Sequence, residues 1–240
     1  MQAILGKLKR GEHVTIVALG DSITEDTFHT RGRMNWVGLL REAIFEAYGN
    51  GLCTMVNSGV CGSSYREALT RLDRDVLRFA PDLVILALGM NDAIRGREGL
   101  AEFTEDVRRC VARIRAETTA EILIRTPNPV VTVHGLPLPV EQARPGRAWE
   151  HPGRPVGAYA EALVRLAAEL GAACVDHYRL WTERTWVVRQ PVADPTGLWP
   201  RMGDAIHPGW LGHLAFFREL APLFGVAKYF PWEEVEPQVP

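Results

Sequence analysis

Apolar residues run from Val14 to Leu19, broken only by Thr15, and end in Gly20-Asp21-Ser22. A β-branched run without polar alternation predicts a strand buried on both faces, as parallel sheets require. Leu83-Val84-Ile85-Leu86-Ala87-Leu88 repeats the pattern and ends in Gly89-Met90-Asn91-Asp92. Shorter runs at Cys53–Asn57, Glu121–Arg125 and Ala173–Asp176 predict three more strands. Between them, apolar residues at helical spacing predict helices over Met34–Tyr48, Tyr65–Phe79, Phe103–Glu117, Val156–Leu170 and Pro208–Leu220, with Gly49 and Gly171 as C-terminal stops. Arg and Asp in 65–79 are read as its wet face.

Strands alternating with helices imply a parallel sheet with right-handed crossovers, a three-layer α/β/α architecture. Five strands on this pattern favour the flavodoxin-like order 2-1-3-4-5. No internal repeat or composition break divides the chain, so residues 1–240 are expected to form one domain. Residues 126–155 hold seven prolines and few periodic apolar residues, a pattern that excludes regular helix or central strand. This Pro-rich insertion loop is expected to cover the site mouth or meet a partner. Residues 178–202 read as irregular, and 229–240 as a Pro-rich, acidic tail that could serve as a dimer arm; homo-oligomerisation is left open.

Composition narrows the class. The chain is 47% hydrophobic with a net charge of −2, which offers no basic footprint for nucleic acid. No apolar run reaches the roughly 18–20 residues that span a bilayer. Met1–Lys9 has neither the apolar core nor the cleavage site of a signal peptide, so a cytoplasmic location is expected. Cys53, Cys61, Cys110 and Cys174 lack metal-type spacing and read as buried free thiols. His13, His29, His134, His151, His177 and His213 show no ligand spacing either, and no metal is expected. Walker A, GxGxxG and GxSxG patterns are all missing, which removes nucleotide folds and the α/β-hydrolase elbow.

The polar residues collect where such a sheet does its chemistry. Ligands of open α/β sheets bind beyond the carboxyl ends of the strands, at the switch point. In a 2-1-3 order, Gly20-Asp21-Ser22, Asn57-Ser58-Gly59 and Gly89-Met90-Asn91-Asp92 fall side by side there. A serine needs a base to become a nucleophile. Asp204-Ala205-Ile206-His207-Pro208 offers one: Asp204 can accept Nδ1–H of His207, leaving Nε2 for Ser22. Backbone N–H groups of Ser22 and Gly59 and the Asn91 carboxamide can serve as oxyanion donors. Asp21 is read as bonding turn amides, Gly89 as supporting its turn, and Asp92 as an ordinary turn residue.

Gly20-Asp21-Ser22-Ile23-Thr24, Gly59, Gly89-Met90-Asn91-Asp92 and Asp204-Ala205-Ile206-His207-Pro208 resemble, in order, the four blocks of the GDSL/SGNH hydrolase family. The resemblance spans nearly the whole chain. It implies a flavodoxin-like fold, Ser22 as nucleophile, His207 as base, Asp204 as its orienter, and Ser22, Gly59 and Asn91 as oxyanion hole, with no cofactor. It implies hydrolysis of a small-molecule carboxylic ester, with a short acyl group on a sugar favoured by the Gly-Asp-Ser-Ile-Thr form, similar to carbohydrate acetylesterases.

Two rivals stand beside this reading. A thioesterase or lysophospholipase uses the same triad with a longer acyl pocket, and a non-catalytic binding module keeps the fold without turnover. Trp181, Trp186 and Trp199 are read either as a substrate face or as packing. Arg31, Arg33 and Arg95 lie near the expected mouth.

Overall fold

Five parallel strands, β1 (Val14–Gly20), β2 (Cys53–Gly59), β3 (Leu83–Ala87), β4 (Glu121–Arg125) and β5 (Ala173–Val175), pair in the order β2-β1-β3-β4-β5. The computed structural model describes residues 1–25, 28–130, 154–183 and 206–228. The strand order is the one expected. β3 is buried at every position, and in β1 only Thr15 is not. Each fully buried Val, Leu or Ile contributes about 1.5–3 kcal/mol, so this central pair anchors the sheet.

The helices fall into two groups. α1 (Gln2–Lys9), α3 (Trp36–Tyr48) and α9 (Trp210–Leu220) belong to one, with α3 packed on α9 and both α1 and α3 on the 3-10 turn Ala221–Phe224 that follows α9. α4 (Tyr65–Thr70), α6 (Leu100–Glu117) and α7 (Val156–Glu169) pack in series as the other. Right-handed crossovers that reverse direction at β1 place the groups on opposite faces. The reversal opens the crevice beyond the carboxyl ends of β1, β2 and β3.

Several local expectations are corrected. The helix expected over 65–79 is three pieces: α4, α5 (Leu72–Asp75) and a 3-10 turn Leu77–Phe79. The cause is Arg71, read from the sequence as a wet-face residue but buried here. Its Nη2 donates to Gly20 O (2.8 Å) and Ser63 Oγ (3.0 Å), and its Nη1 to Ser58 O (2.9 Å) and Asp75 Oδ2 (2.7 Å). One guanidinium thereby ties the ends of β1 and β2 to the turn after β2. β2 runs two residues further than expected, because Leu19 and Gly20 find register partners in Ser58 and Gly59.

Residues 178–183, expected irregular, belong to a helix, α8 (His177–Glu183). Trp181 on it is core: its ring stacks on Phe216 at 4.6 Å and its Nε1 donates to Glu219 Oε2 at 3.2 Å. Of the cysteines, Cys110 alone is buried; Cys53 is half-buried, and Cys61 and Cys174 are exposed. The parts of the loop and tail at 131–153 and 229–240, with Trp186, Trp199 and Asp204, lie outside the described residues.

A layer of buried ionisable groups lies under the carboxyl edge. Burial pushes the Asp92 carboxyl up to about 7, against the Tyr65 N–H that it accepts at 3.1 Å. Burial likewise raises Asp21 to about 6, and lowers His213 to about 3, helped there by the charge of Arg125. Arg125 lies between the faces of Phe216 (4.1 Å) and Trp36 (5.0 Å), with the charges of Asp21 and Glu219 offsetting part of its burial cost.

Two outcomes follow. Arg71→Ala removes four hydrogen bonds from the ends of β1 and β2, while Asp75 keeps its pairing with Arg74; chemical denaturation should show a loss of about 1–3 kcal/mol. For Asp92, the unfolded carboxyl loses its proton near 4 and the folded one near 7. The folded state therefore holds the extra proton between those values, and stability from this group falls as pH rises through that window. Asp92→Asn keeps an acceptor for Tyr65 without the charge. Melting temperatures should favour the variant over wild type progressively from pH 5 to pH 8; a difference independent of pH contradicts the assignment.

Candidate active site

The site is built from turns that close tightly on one another. Past β1 the chain folds at once into α2 (Ser22–Glu25), a single turn whose Thr24 and Glu25 amides donate to Asp21 O. Asp21 Oδ1 accepts the Ile23 N–H at 3.0 Å, the turn-bonding role expected of it. Two glycines make the approach feasible. A Cβ on Gly20 would lie 2.1 Å from Thr24 Oγ1, and one on Gly59 would lie 2.2 Å from the Glu25 backbone nitrogen. The carbonyl of Thr24 is held by two carboxamides, Asn35 Nδ2 (2.8 Å) and Asn57 Nδ2 (2.7 Å). Asn35 also caps α3, its Oδ1 accepting from Val37 and Gly38 at 3.1 Å.

Ser22 therefore projects from a turn pinned on three sides. Its Oγ lies 3.0 Å from Nε2 of His207, 185 residues away in sequence. His207 is itself enclosed. The ring of His29 stacks on it with centroids 4.3 Å apart and planes 5° from parallel. Asn128, fully buried, donates Nδ2 to Ile206 O at 3.0 Å, immediately before it. The buried His213 hydrogen-bonds the Pro208 backbone just after it, and its Nδ1 accepts the Trp36 N–H at 3.3 Å. The turn is thus held to the loop after β4 on one side and to α9 and α3 on the other. None of His29, Asn128 and His213 was singled out for this part from the sequence. Only the fold brings them to His207, and no local spacing signals it.

The turn after β2 carries five consecutive amides with distinct fates. Gly59 N–H donates to Asn57 Oδ1 (3.0 Å), Val60 N–H to Gly20 O (3.1 Å), Cys61 N–H to the Glu25 carboxylate, and Ser63 N–H to Val60 O (3.0 Å). The amide expected from Gly59 as an oxyanion donor is therefore already engaged; close packing against Glu25 explains the glycine instead. Gly62, at φ +75°, is exposed, and its N–H has no acceptor among the described residues.

Asn91 joins this turn from β3: its Nδ2 donates to Ser63 O at 3.1 Å. A carboxamide carries two N–H donors, so one remains. Gly89, at φ +119°, supplies the backbone conformation that delivers Asn91 there. The turn after β2 is thus tied to the end of β1 through Val60 N–H and Gly20 O, and to the turn after β3 through Asn91. Asp92 is no ordinary turn residue; it is buried and binds the first amide of α4. Among the arginines near the mouth, Arg33 lies over the Trp210 ring at 4.4 Å and Arg95 pairs with Glu102 at 2.9 Å.

The arrangement offers a hydroxyl within hydrogen-bond distance of an imidazole. That is the equipment of acyl transfer rather than of phosphoryl or hydride transfer. Comparison with known proteins agrees. The model of the GDSL-like lipase/acylhydrolase family matches residues 18–215. An acetylxylan esterase of Geobacillus stearothermophilus is 25% identical over 228 residues, 89% of this chain and 96% of that protein. An arylesterase of Vibrio mimicus is 32% identical over a shorter stretch of 81 residues, 34% of this chain and 39% of that protein. Among solved structures, an acetylxylan esterase from Geobacillus stearothermophilus superposes with a TM-score of 0.65 at 22% identity, over 92% of this chain and 97% of that one, which speaks for the fold. No helix among the described residues is long and apolar enough to cross a membrane. With four-fifths of its length inside the family match, the chain belongs to the GDSL-like lipase/acylhydrolase family and is a serine ester hydrolase.

Proposed function

We propose that the protein hydrolyses short-chain acyl esters through Ser22, His207 and Asp204. The observation that carries this reading is the 3.0 Å contact between Ser22 Oγ and His207 Nε2. His207 takes the hydroxyl proton as Ser22 Oγ attacks the acyl carbon, and returns it to the departing alcohol. The same imidazole then draws a proton from water, which attacks the acyl-enzyme and frees Ser22. Asp204 is assigned to Nδ1–H of His207, where a carboxylate fixes the tautomer and offsets the imidazolium charge.

The tetrahedral oxyanion needs donors where its charge develops. The Ser22 amide at the start of α2 and the second Asn91 N–H are two. Because Gly59 N–H is engaged by Asn57, the third is assigned to Gly62 N–H, the unclaimed amide of the same turn. Removing one such donor typically costs roughly 10²–10³ in kcat.

An acetyl group on a carbohydrate is the preferred substrate in this reading, supported by the names of the acetylxylan esterase relatives. The longer-acyl alternative has one observation in its favour. Phe28, Val60 and Ile94, all exposed, lie in the loops after β1, β2 and β3, at the edge where an acyl chain would rest.

Ser22→Ala should lower 4-nitrophenyl acetate turnover at least 10³-fold, with folding unchanged by circular dichroism; a variant that keeps a tenth of the activity rules Ser22 out as nucleophile. Across 4-nitrophenyl acetate, butyrate and octanoate, kcat/KM should fall about tenfold or more from first to last. An octanoate value equal to or above acetate assigns the protein to the longer-acyl class.

A further inference from the structure

Several arginines of this protein hold a carboxylate through the same edge. Arg10, Arg74 and Arg108 each present the Nε–Nη2 edge of the guanidinium and grip both oxygens of a partner, Glu12, Asp75 and Glu169, at 2.6–3.0 Å. That edge is the fork whose spacing matches a carboxylate. All three pairs are on the surface.

Arg154 offers the same edge, buried and empty. The residue is nine-tenths buried, and its Nε and Nη2 have no acceptor among the described residues. Its remaining contact is Nη1 to Met90 O, at 3.4 Å. No carboxylate of the described residues stands within ion-pair distance of it. Arg71 has four acceptors, and Arg125, whose Nε and Nη1 also lack an acceptor, has aromatic faces and the charges of Asp21 and Glu219 to offset its burial. For Arg154, burial alone acts, pulling its pKa down to about 10, so it still carries its charge at neutral pH. A buried, unpaired cation costs several kcal/mol and is retained where something supplies the counter-charge.

Its position says what that is. Met90 immediately precedes Asn91, whose carboxamide reaches the Gly62–Ser63 turn. Through Nη1 the guanidinium is therefore fixed one residue from Asn91, whose turn is proposed to hold the oxyanion. We propose that Arg154 is an anion subsite of the catalytic crevice, and that the preferred ester carries a carboxylate that Nε and Nη2 grip as a pair. The proposal rests on the esterase reading of Ser22. The carboxylate can lie on the alcohol side, as in an acylated sugar acid, or at the far end of the acyl group, as in a half-ester of a dicarboxylic acid.

Two isosteric pairs separate these. 4-Acetoxybenzoate against methyl 4-acetoxybenzoate places the charge on the alcohol; mono-4-nitrophenyl adipate against 4-nitrophenyl hexanoate places it on the acyl group. In Arg154→Met, kcat/KM should fall about 10- to 100-fold for the charged member of one pair, the magnitude of a charge-assisted hydrogen-bonded pair. The loss should fall mainly on KM, with the neutral member within about threefold of wild type. Arg154→Lys, which keeps the charge without the fork, should recover only part of the loss. Parallel losses on charged and neutral members identify Arg154 as a prop for the Met90 turn and overturn the proposal, as does no loss in either pair. Failure of the Ser22 reading is distinct, since Ser22→Ala would then retain turnover on all four esters.

Discussion

A hydroxyl and an imidazole that lie 185 residues apart in sequence meet at 3.0 Å, and buried hydrogen bonds hold the two turns that carry them. Each group is held by neighbours that distant parts of the chain fix in turn. The serine is set by the end of a central strand, the histidine by a turn reached after the last strand has passed. An error of about 1 Å in such a pair costs orders of magnitude in rate. The structure meets this demand by tying both turns to elements that are themselves buried.

The ties have a common chemistry. Backbone carbonyls at strand ends and in the turns of the site are claimed by side-chain donors: Gly20 and Ser58 by Arg71, Thr24 by Asn35 and Asn57, Ile206 by Asn128. Buried main-chain acceptors must be paired, and here the pairing also fixes the site. Close backbone packing completes it. Glycine at 20 and 59 lets α2 lie against β1 and β2 with no side chain between, which is why those residues recur at the strand ends and not elsewhere in the strands. The amides left without acceptors after this pairing are the ones a developing oxyanion would meet.

Much of this was legible in the chain. Unbroken apolar runs give the central strands, and their alternation with helical spacing gives the order β2-β1-β3-β4-β5, because handedness leaves few other topologies. Ser22, Asn91 and His207 stand out as candidates in the sequence because each sits at a strand end or before a helix. Side-chain direction was not legible. Arg71 looks like a wet-face residue until the helix is seen to break there, since periodicity reads composition and not which way a long side chain turns. Gly59 and Gly62 look alike in sequence. Only the hydrogen bonds of their amides tell an engaged donor from an open one. His29 on His207 and Arg154 on the Met90 turn join residues that no local pattern relates.

The account depends on Ser22 being made nucleophilic by His207, and covalent labelling tests that most directly. Treated with a fluorophosphonate and digested, the protein should yield one modified peptide, with the adduct on Ser22, and His207→Ala should slow labelling at least a hundredfold. An adduct on a different serine, or labelling of Ser22 at an unchanged rate in the His207 variant, would contradict it.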